Sequence, residues 1–104
     1  MTRRVSWSRD ALDELKAEVD YIAADNPRAA QRVRDVLDKT AAALSDIPTG
    51  RPGRVSGTYE KTVTGLSYVI AYAVTGDRNH GTVTILHVIH TSRDWQPESW
   101  PRQT

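Results

Sequence analysis

The chain has 104 residues, which is enough for one domain with a single modest hydrophobic core. It contains no cysteine, and this excludes a disulfide framework, a thiolate metal site and a cysteine nucleophile. The formal net charge of +1 neither indicates nor excludes a nucleic-acid partner. No apolar run has the form of a secretory signal or the roughly 20 residues needed to span a bilayer, so we expect a cytoplasmic protein without membrane contact.

The first half of the chain predicts a short strand and then two helices. Residues 3–6 form the candidate strand, and Ser8 follows at a helix N-cap position. The first helix carries an apolar stripe at spacings of three and four residues, formed by Leu12, Leu15, Val19 and Ile22. Asn26 and Pro27 start the second helix, because proline suits the first helical position. Its own stripe consists of Ala30, Val33, Leu37, Ala41 and Leu44.

The second half changes to the pattern of strands. We expect strands at residues 58–63, 68–74 and 82–89, whereas the Pro- and Gly-containing segment 51–54 reads as a loop. Since the connection between the two helices is short, they should form an antiparallel hairpin. The order β-α-α-β-β-β predicts an α+β fold in which an N-terminal short strand and the helical hairpin pack on a C-terminal antiparallel sheet.

The histidines do not form a metal-binding motif. His80, His87 and His90 show neither HxH nor HExxH spacing, and His87 and His90, three apart on a strand, should face opposite sides of the sheet. We therefore expect no metal and no cofactor, with His87 as a structural strand residue.

Basic residues frame the predicted strands and are candidates to converge on one edge of the sheet. They are Arg51, Arg54, Lys61 and Arg93. Such a cluster suits phosphate or an acidic protein surface, because guanidinium is a bidentate donor to both. The alternative is that all four are ordinary solvated side chains.

Glu60, His90 and Arg93 form the one acid–base set that the sequence suggests. Cleavage of RNA through its 2′-hydroxyl requires a base, an acid and cations for the phosphate, and these residue types can supply them. In the structural alternative, which we favour on the residues alone, Glu60 pairs with a neighbouring basic residue and His90 caps the end of its strand.

Several segments occur in an order that resembles a known family. The helix start Asp25-Asn26-Pro27 is followed by the block GRPGRVSGTYEKTVTGLSYVIAYAV and then by VTILHVIHTSRDW. This combination resembles the ParE/RelE toxin superfamily of type II toxin–antitoxin systems, and most closely its ParE-like branch. The resemblance extends to Trp95, so we place a single domain at residues 1–96 and a loosely held tail at 97–104.

The resemblance implies a toxin that a cognate, ParD-like antitoxin holds inactive, with operator DNA contacted only through the antitoxin and no small-molecule substrate. ParE-type members inhibit DNA gyrase, whereas RelE-type members cut mRNA on the ribosome. The RelE pattern carries an arginine on the middle strand, where this chain has the run from Leu66 to Ile70. Gyrase inhibition without catalysis is therefore the expected activity. The alternatives are a RelE-type ribonuclease and a non-toxic binding module.

These expectations assign residues to roles. We expect the target to contact Arg51, Arg54, Lys61, Arg93 and Trp95. We expect the antitoxin to contact the helical stripes through Leu12, Leu15, Val19, Ile22, Val33 and Leu37, although the same spacing equally fits an internal face. In the ribonuclease alternative the catalytic residues are Glu60, His90 and Arg93.

Overall fold

A computed structural model describes residues 3–53, 55–76 and 81–92. It contains two helices and five strands in the order β1 (Arg4–Trp7), α1 (Arg9–Ala23), α2 (Pro27–Ala43), β2 (Arg51–Pro52), β3 (Tyr59–Thr62), β4 (Tyr68–Thr75) and β5 (Thr82–His90). The α+β class and the placement of the helical hairpin on the sheet are as the sequence predicts. The predicted domain boundary and the tail at 97–104 lie outside the described residues.

Both helices begin at the predicted capping residues. The Ser8 side chain accepts a hydrogen bond from the Ala11 N–H, and the Asn26 side chain accepts one from the Ala29 N–H, with Pro27 in the first turn. Each cap satisfies a backbone donor that has no partner within the helix. Neither of the two helices in the described part of the chain is long and apolar enough to cross a membrane.

The strands form one mixed sheet in the order β1-β5-β4-β3-β2. Strand β1 runs parallel to β5, and the other neighbouring pairs are antiparallel. The prediction of a loop at 51–54 was wrong for its first two residues, since Arg51 pairs with Glu60 and Pro52 with Tyr59. Proline is tolerated there because β2 is an edge strand, where a missing N–H removes no ladder bond.

The hydrophobic core lies between the helical hairpin and one face of the sheet. Its buried members on α2 with its C-cap residue and on β4 and β5 include Val33, Leu37, Ala41, Leu44, Tyr68, Ile70, Tyr72, Val83, Ile85 and Val88. A register shift opposite Leu86 lets Ile85 pair with Tyr72 and Val88 with Ile70, so both reach the core although they are three residues apart. The helix side of the sheet is thereby filled along most of β5.

Candidate partner-binding site

The β2–β3 edge carries an ion pair between Arg51 and Glu60. The Arg51 Nη2 atom lies 3.2 Å from Glu60 Oε1, and the Arg51 Nη1 atom donates to the Thr62 hydroxyl at 3.4 Å. The Glu60 side chain is 3% exposed, whereas that of Arg51 is 55% exposed. A buried carboxylate therefore orients a guanidinium that still presents surface to a partner, as the structural alternative for Glu60 predicts.

A second set of contacts holds the segment that leads into β2. The buried Tyr72 hydroxyl donates a hydrogen bond to the Thr49 carbonyl, and the Tyr59 ring stacks on Tyr72 with centroids 5.6 Å apart. Gly50 has φ of +135°, and a Cβ there would lie 2.7 Å from the Glu60 carbonyl oxygen. Burial, with Tyr59 adding to it, raises the pKa of the Tyr72 hydroxyl above its ordinary value, so the hydroxyl remains a donor further into the alkaline range than a free tyrosine does.

Glu60 and His90 do not lie together. Glu60 pairs with Ala71 on β4 and His90 pairs with Tyr68, three residues away along the same strand. Because side chains alternate along a strand, these positions face opposite sides of the sheet, about 10 Å apart along it. Arg93, the third member of the proposed acid–base set, lies outside the described residues.

His90 has a local structural role on the helix side of the sheet. Its ring meets the Tyr68 ring edge-on at 5.2 Å between centroids, and its Nδ1 atom accepts a hydrogen bond from the Ser92 N–H at 3.2 Å. The Tyr68 hydroxyl in turn donates to Glu18 of α1 at 2.8 Å. His90 thus closes the end of β5, as the structural alternative predicts.

Lys61 lies on the opposite side of the sheet from Arg51 and Glu60, since it neighbours Glu60 on β3. It borders a groove of about 320 Å³ between the C-terminal half of α2 and β3. The residues that line this groove are Val36, Lys39, Thr40, Ala43, Leu44, Thr49, Lys61, Thr62 and Thr64. Two lysines and no carboxylate stand among these described residues, so the groove favours a partner that carries negative charge.

Sequence reasoning missed the α2 wall of this groove. Val36, Lys39, Thr40 and Ala43 follow one another at spacings of three, one and three, beside the buried stripe of the same helix. That spacing marks a second helix face, but only the position of β3 makes it the wall of a groove.

The helical stripes divide into exposed and internal residues. Leu12 is 48% exposed, and Leu15, Val19 and Ile22 are partly buried. Val33 and Leu37 have exposures of 9% and 0% and belong to the core. Their expected contact with an antitoxin is therefore corrected, because a partner would have to open the fold to reach them.

His87 is a structural residue, as the sequence predicts. Its Nδ1 atom lies 3.1 Å from Glu14 Oε2, and Glu14 Oε1 accepts a hydrogen bond from the Val88 N–H at 2.9 Å. Strand β1 ends at Trp7, which pairs with Ile85. Beyond that point the edge of β5 is contacted by Ser8, which donates to the Leu86 carbonyl, and by Glu14 of α1, which accepts from the Val88 N–H. The remaining predicted site residues, which are Arg54, Arg93 and Trp95, lie outside the described residues, as does His80.

The helical hairpin on a mixed sheet defines a small α+β protein, and Arg51 and the groove beside Lys61 are its candidate contacts for a partner. A family model described as the ParE toxin of type II toxin–antitoxin system, parDE, matches residues 5–95. The chain therefore belongs to the ParE toxin family, and it is a toxin of a type II toxin–antitoxin system.

Relatives and a solved structure agree with this assignment. The chain is 35% identical over 94 residues to the Y4kP protein of Sinorhizobium fredii, a match that covers 89% of this chain and 93% of that protein. It is 34% identical over 90 residues to toxin RelE2 of Caulobacter vibrioides, covering 86% and 97%. A chain of the chromosomal ParDE TA system from P. aeruginosa has the same fold, with a TM-score of 0.74 at 21% identity over 84% of this chain and 94% of that one.

Proposed function

We propose that this toxin inhibits DNA gyrase by binding it, without catalysing a reaction, and that a cognate ParD-like antitoxin neutralises it. The observation that carries the non-catalytic part is the separation of Glu60 and His90 on opposite faces of the sheet. An acid and a base that act on one phosphodiester must both come within hydrogen-bond reach of it. Glu60 is moreover buried against Arg51. Gyrase as the target, and hence action in the cytoplasm, follow from the ParE resemblance.

Arg51 is the described residue best suited to contact the target. Its guanidinium is already oriented by Glu60 and Thr62, so less side-chain entropy is lost on binding than for a free arginine. Arg54, Arg93 and Trp95 remain proposed target contacts on sequence grounds alone. Lys61 faces the other side of the sheet, where we assign it a different partner.

The groove between α2 and β3 is the proposed antitoxin contact. Its α2 wall offers Val36 and Ala43 to apolar side chains, while Lys39 and Lys61 favour carboxylates. A disordered antitoxin segment that carries both kinds of residue would fold against such a surface on binding. We place Leu12 and the partly buried residues of the α1 stripe, Leu15, Val19 and Ile22, in the same complex as a second contact. Operator DNA would be reached only through the antitoxin.

Ribosome-dependent mRNA cleavage is the second candidate function. The relative named toxin RelE2 keeps it open, since RelE-type members of the superfamily cut mRNA. The geometry of Glu60 and His90 weighs against it.

Two measurements with purified components test the proposal. The first compares inhibition of gyrase supercoiling with cleavage of ribosome-bound mRNA by the same toxin preparation. The second measures antitoxin affinity for the variant K39E/K61E, with Arg4→Glu as the control because Arg4 is exposed on β1, away from β3 and the groove. We expect about a tenfold weaker antitoxin complex or more for the double variant and little change for the control. Equal affinities would place the antitoxin elsewhere.

A further inference from the structure

We infer that Tyr72 is a positioning residue for Arg51: its hydroxyl fixes the Thr49–Gly50 peptide and so places the Arg51 backbone where Glu60 and Thr62 can orient the guanidinium. The inference rests on the proposed function, in which Arg51 contacts the target. It assigns to a core tyrosine a role that is separate from filling the core.

Strand β2 requires such support because it has only two residues. Arg51 and Pro52 pair with β3, but a two-residue ladder is too short to hold its own register. Thr58 provides one fixed point after the strand, since its carbonyl accepts a hydrogen bond from the Gly53 N–H at 2.8 Å. The fixed point before the strand is the hydrogen bond from Tyr72 to the Thr49 carbonyl.

The Thr49 carbonyl and the Gly50 N–H belong to one planar peptide unit, so anchoring the carbonyl orients the whole plane. Gly50 then turns the chain with a φ of +135°, which side chains of L-residues rarely adopt. Because Gly50 has no Cβ, its backbone can lie close to the Glu60 carbonyl oxygen. A Cβ at this position would be only 2.7 Å from that oxygen. Arg51 follows at once and lies opposite Glu60. The Tyr72 hydroxyl and Gly50 therefore fix the backbone position of Arg51, from which Glu60 and Thr62 orient the guanidinium.

The Tyr72 ring and its hydroxyl serve different purposes. The ring is fully buried in the core and stacks against Tyr59, and a phenylalanine would fill nearly the same volume. The hydroxyl reaches across 23 residues of sequence to a loop carbonyl and contributes nothing to the sheet ladder. Tyr72→Phe thus removes the positioning contact and keeps the packing. Tyr59→Phe is the matched control, because it removes a hydroxyl from the partner ring of the same stack.

The experiment has two arms on the full-length toxin. In the first, ¹⁵N relaxation of the Arg51 side-chain Nε–H group reports its order on the picosecond-to-nanosecond timescale. We expect an ordered group in the wild type and in Tyr59→Phe, and a mobile one in Tyr72→Phe. This arm does not depend on the identity of the target. An Arg51 group that is equally ordered in Tyr72→Phe would overturn the inference.

The second arm measures the toxin concentration that half-inhibits gyrase supercoiling. We expect it to rise about tenfold for Arg51→Ala and about threefold for Tyr72→Phe, and the double variant to match Arg51→Ala alone because both changes act on one contact. Additive effects, or inhibition that Arg51→Ala leaves unchanged, would contradict the inference while leaving gyrase as the target. A wild-type toxin that does not inhibit gyrase would instead overturn the proposed function, and the relaxation arm alone would then decide whether Tyr72 positions Arg51.

Discussion

Glu60 and His90 extend from opposite faces of the sheet. Their pairing partners on β4, Ala71 and Tyr68, are three residues apart. Glu60 is buried beside the exposed Arg51, and His90 closes the end of β5 against Tyr68. Each residue thus has a structural partner of its own. The separation favours a toxin that acts by binding over one that cleaves RNA.

Arg51 should contribute to stability as well as to binding. Arg51→Ala leaves the buried Glu60 carboxylate without its β2 partner, and we expect a loss of about 1–2 kcal/mol in the free energy of unfolding. The loss stays below that for a fully buried pair because Arg51 is half exposed. Urea denaturation measures it. Lys16→Ala is the control, since the ion pair of Lys16 with Asp20 lies at the surface. If Arg51→Ala has the same unfolding free energy as the wild type, the pair of Arg51 with Glu60 is not formed.

The helical stripes should separate into core and contact residues on mutation. Leu37→Ala removes a side chain with 0% exposure, so we expect a loss of about 2–5 kcal/mol in unfolding free energy. Leu12→Ala, at an exposed position, should cost less than about 1 kcal/mol. Leu12→Asp should weaken the antitoxin complex about tenfold without unfolding the toxin, as measured by titration calorimetry. Unchanged affinity would remove α1 from the proposed interface.

Glu14 should fasten α1 to the free edge of β5. Glu14→Ala leaves the buried Val88 N–H without its acceptor and removes the contact to His87, so we expect a loss of about 1–3 kcal/mol in unfolding free energy. Glu14→Gln retains an oxygen acceptor for Val88 and should lose less. Amide hydrogen exchange of Val88 gives a local readout, and equal protection in wild type and Glu14→Ala would refute the role of this contact.

Tyr72 should make stability depend on pH in the alkaline range. Its pKa is raised in the folded protein by burial and by Tyr59, so the folded state keeps the proton that the unfolded chain releases near about pH 10. The contribution is complete below that pH and is lost as pH rises towards the folded-state pKa. Above about pH 10, wild-type unfolding free energy should fall more steeply with pH than that of Tyr72→Phe. Parallel profiles in urea denaturation would argue against a buried, protonated hydroxyl.

Much of the fold follows from local chemistry in the sequence. Ser8 and the pair Asn26-Pro27 start helices because capping depends on a few neighbouring residues, and apolar spacing locates the core stripe of α2. Strand β2 was read as a loop because its pairing with β3 is a non-local contact between two residues. The register shift at Leu86 likewise depends on how β5 meets β4, which spacing alone does not reveal.

The candidate site was only partly predictable for a related reason. Lys61 and Glu60 must face opposite sides because they are adjacent on a strand, yet their partners depend on the register with β2 and on the position of α2. The sequence therefore named Arg51, Glu60 and Lys61 but could not divide them between two surfaces. The helical periodicity similarly marked Leu12 and Leu37 alike, although only the packing decides which of them is exposed.

The central claim is that this toxin inhibits gyrase without cutting RNA. Its most direct test adds purified toxin, alone and with its antitoxin, to a gyrase supercoiling reaction and to a reconstituted ribosome translating a defined mRNA. The account predicts that the toxin alone blocks supercoiling, that the antitoxin restores it, and that the mRNA remains intact. Cleaved mRNA together with unaffected supercoiling would contradict it.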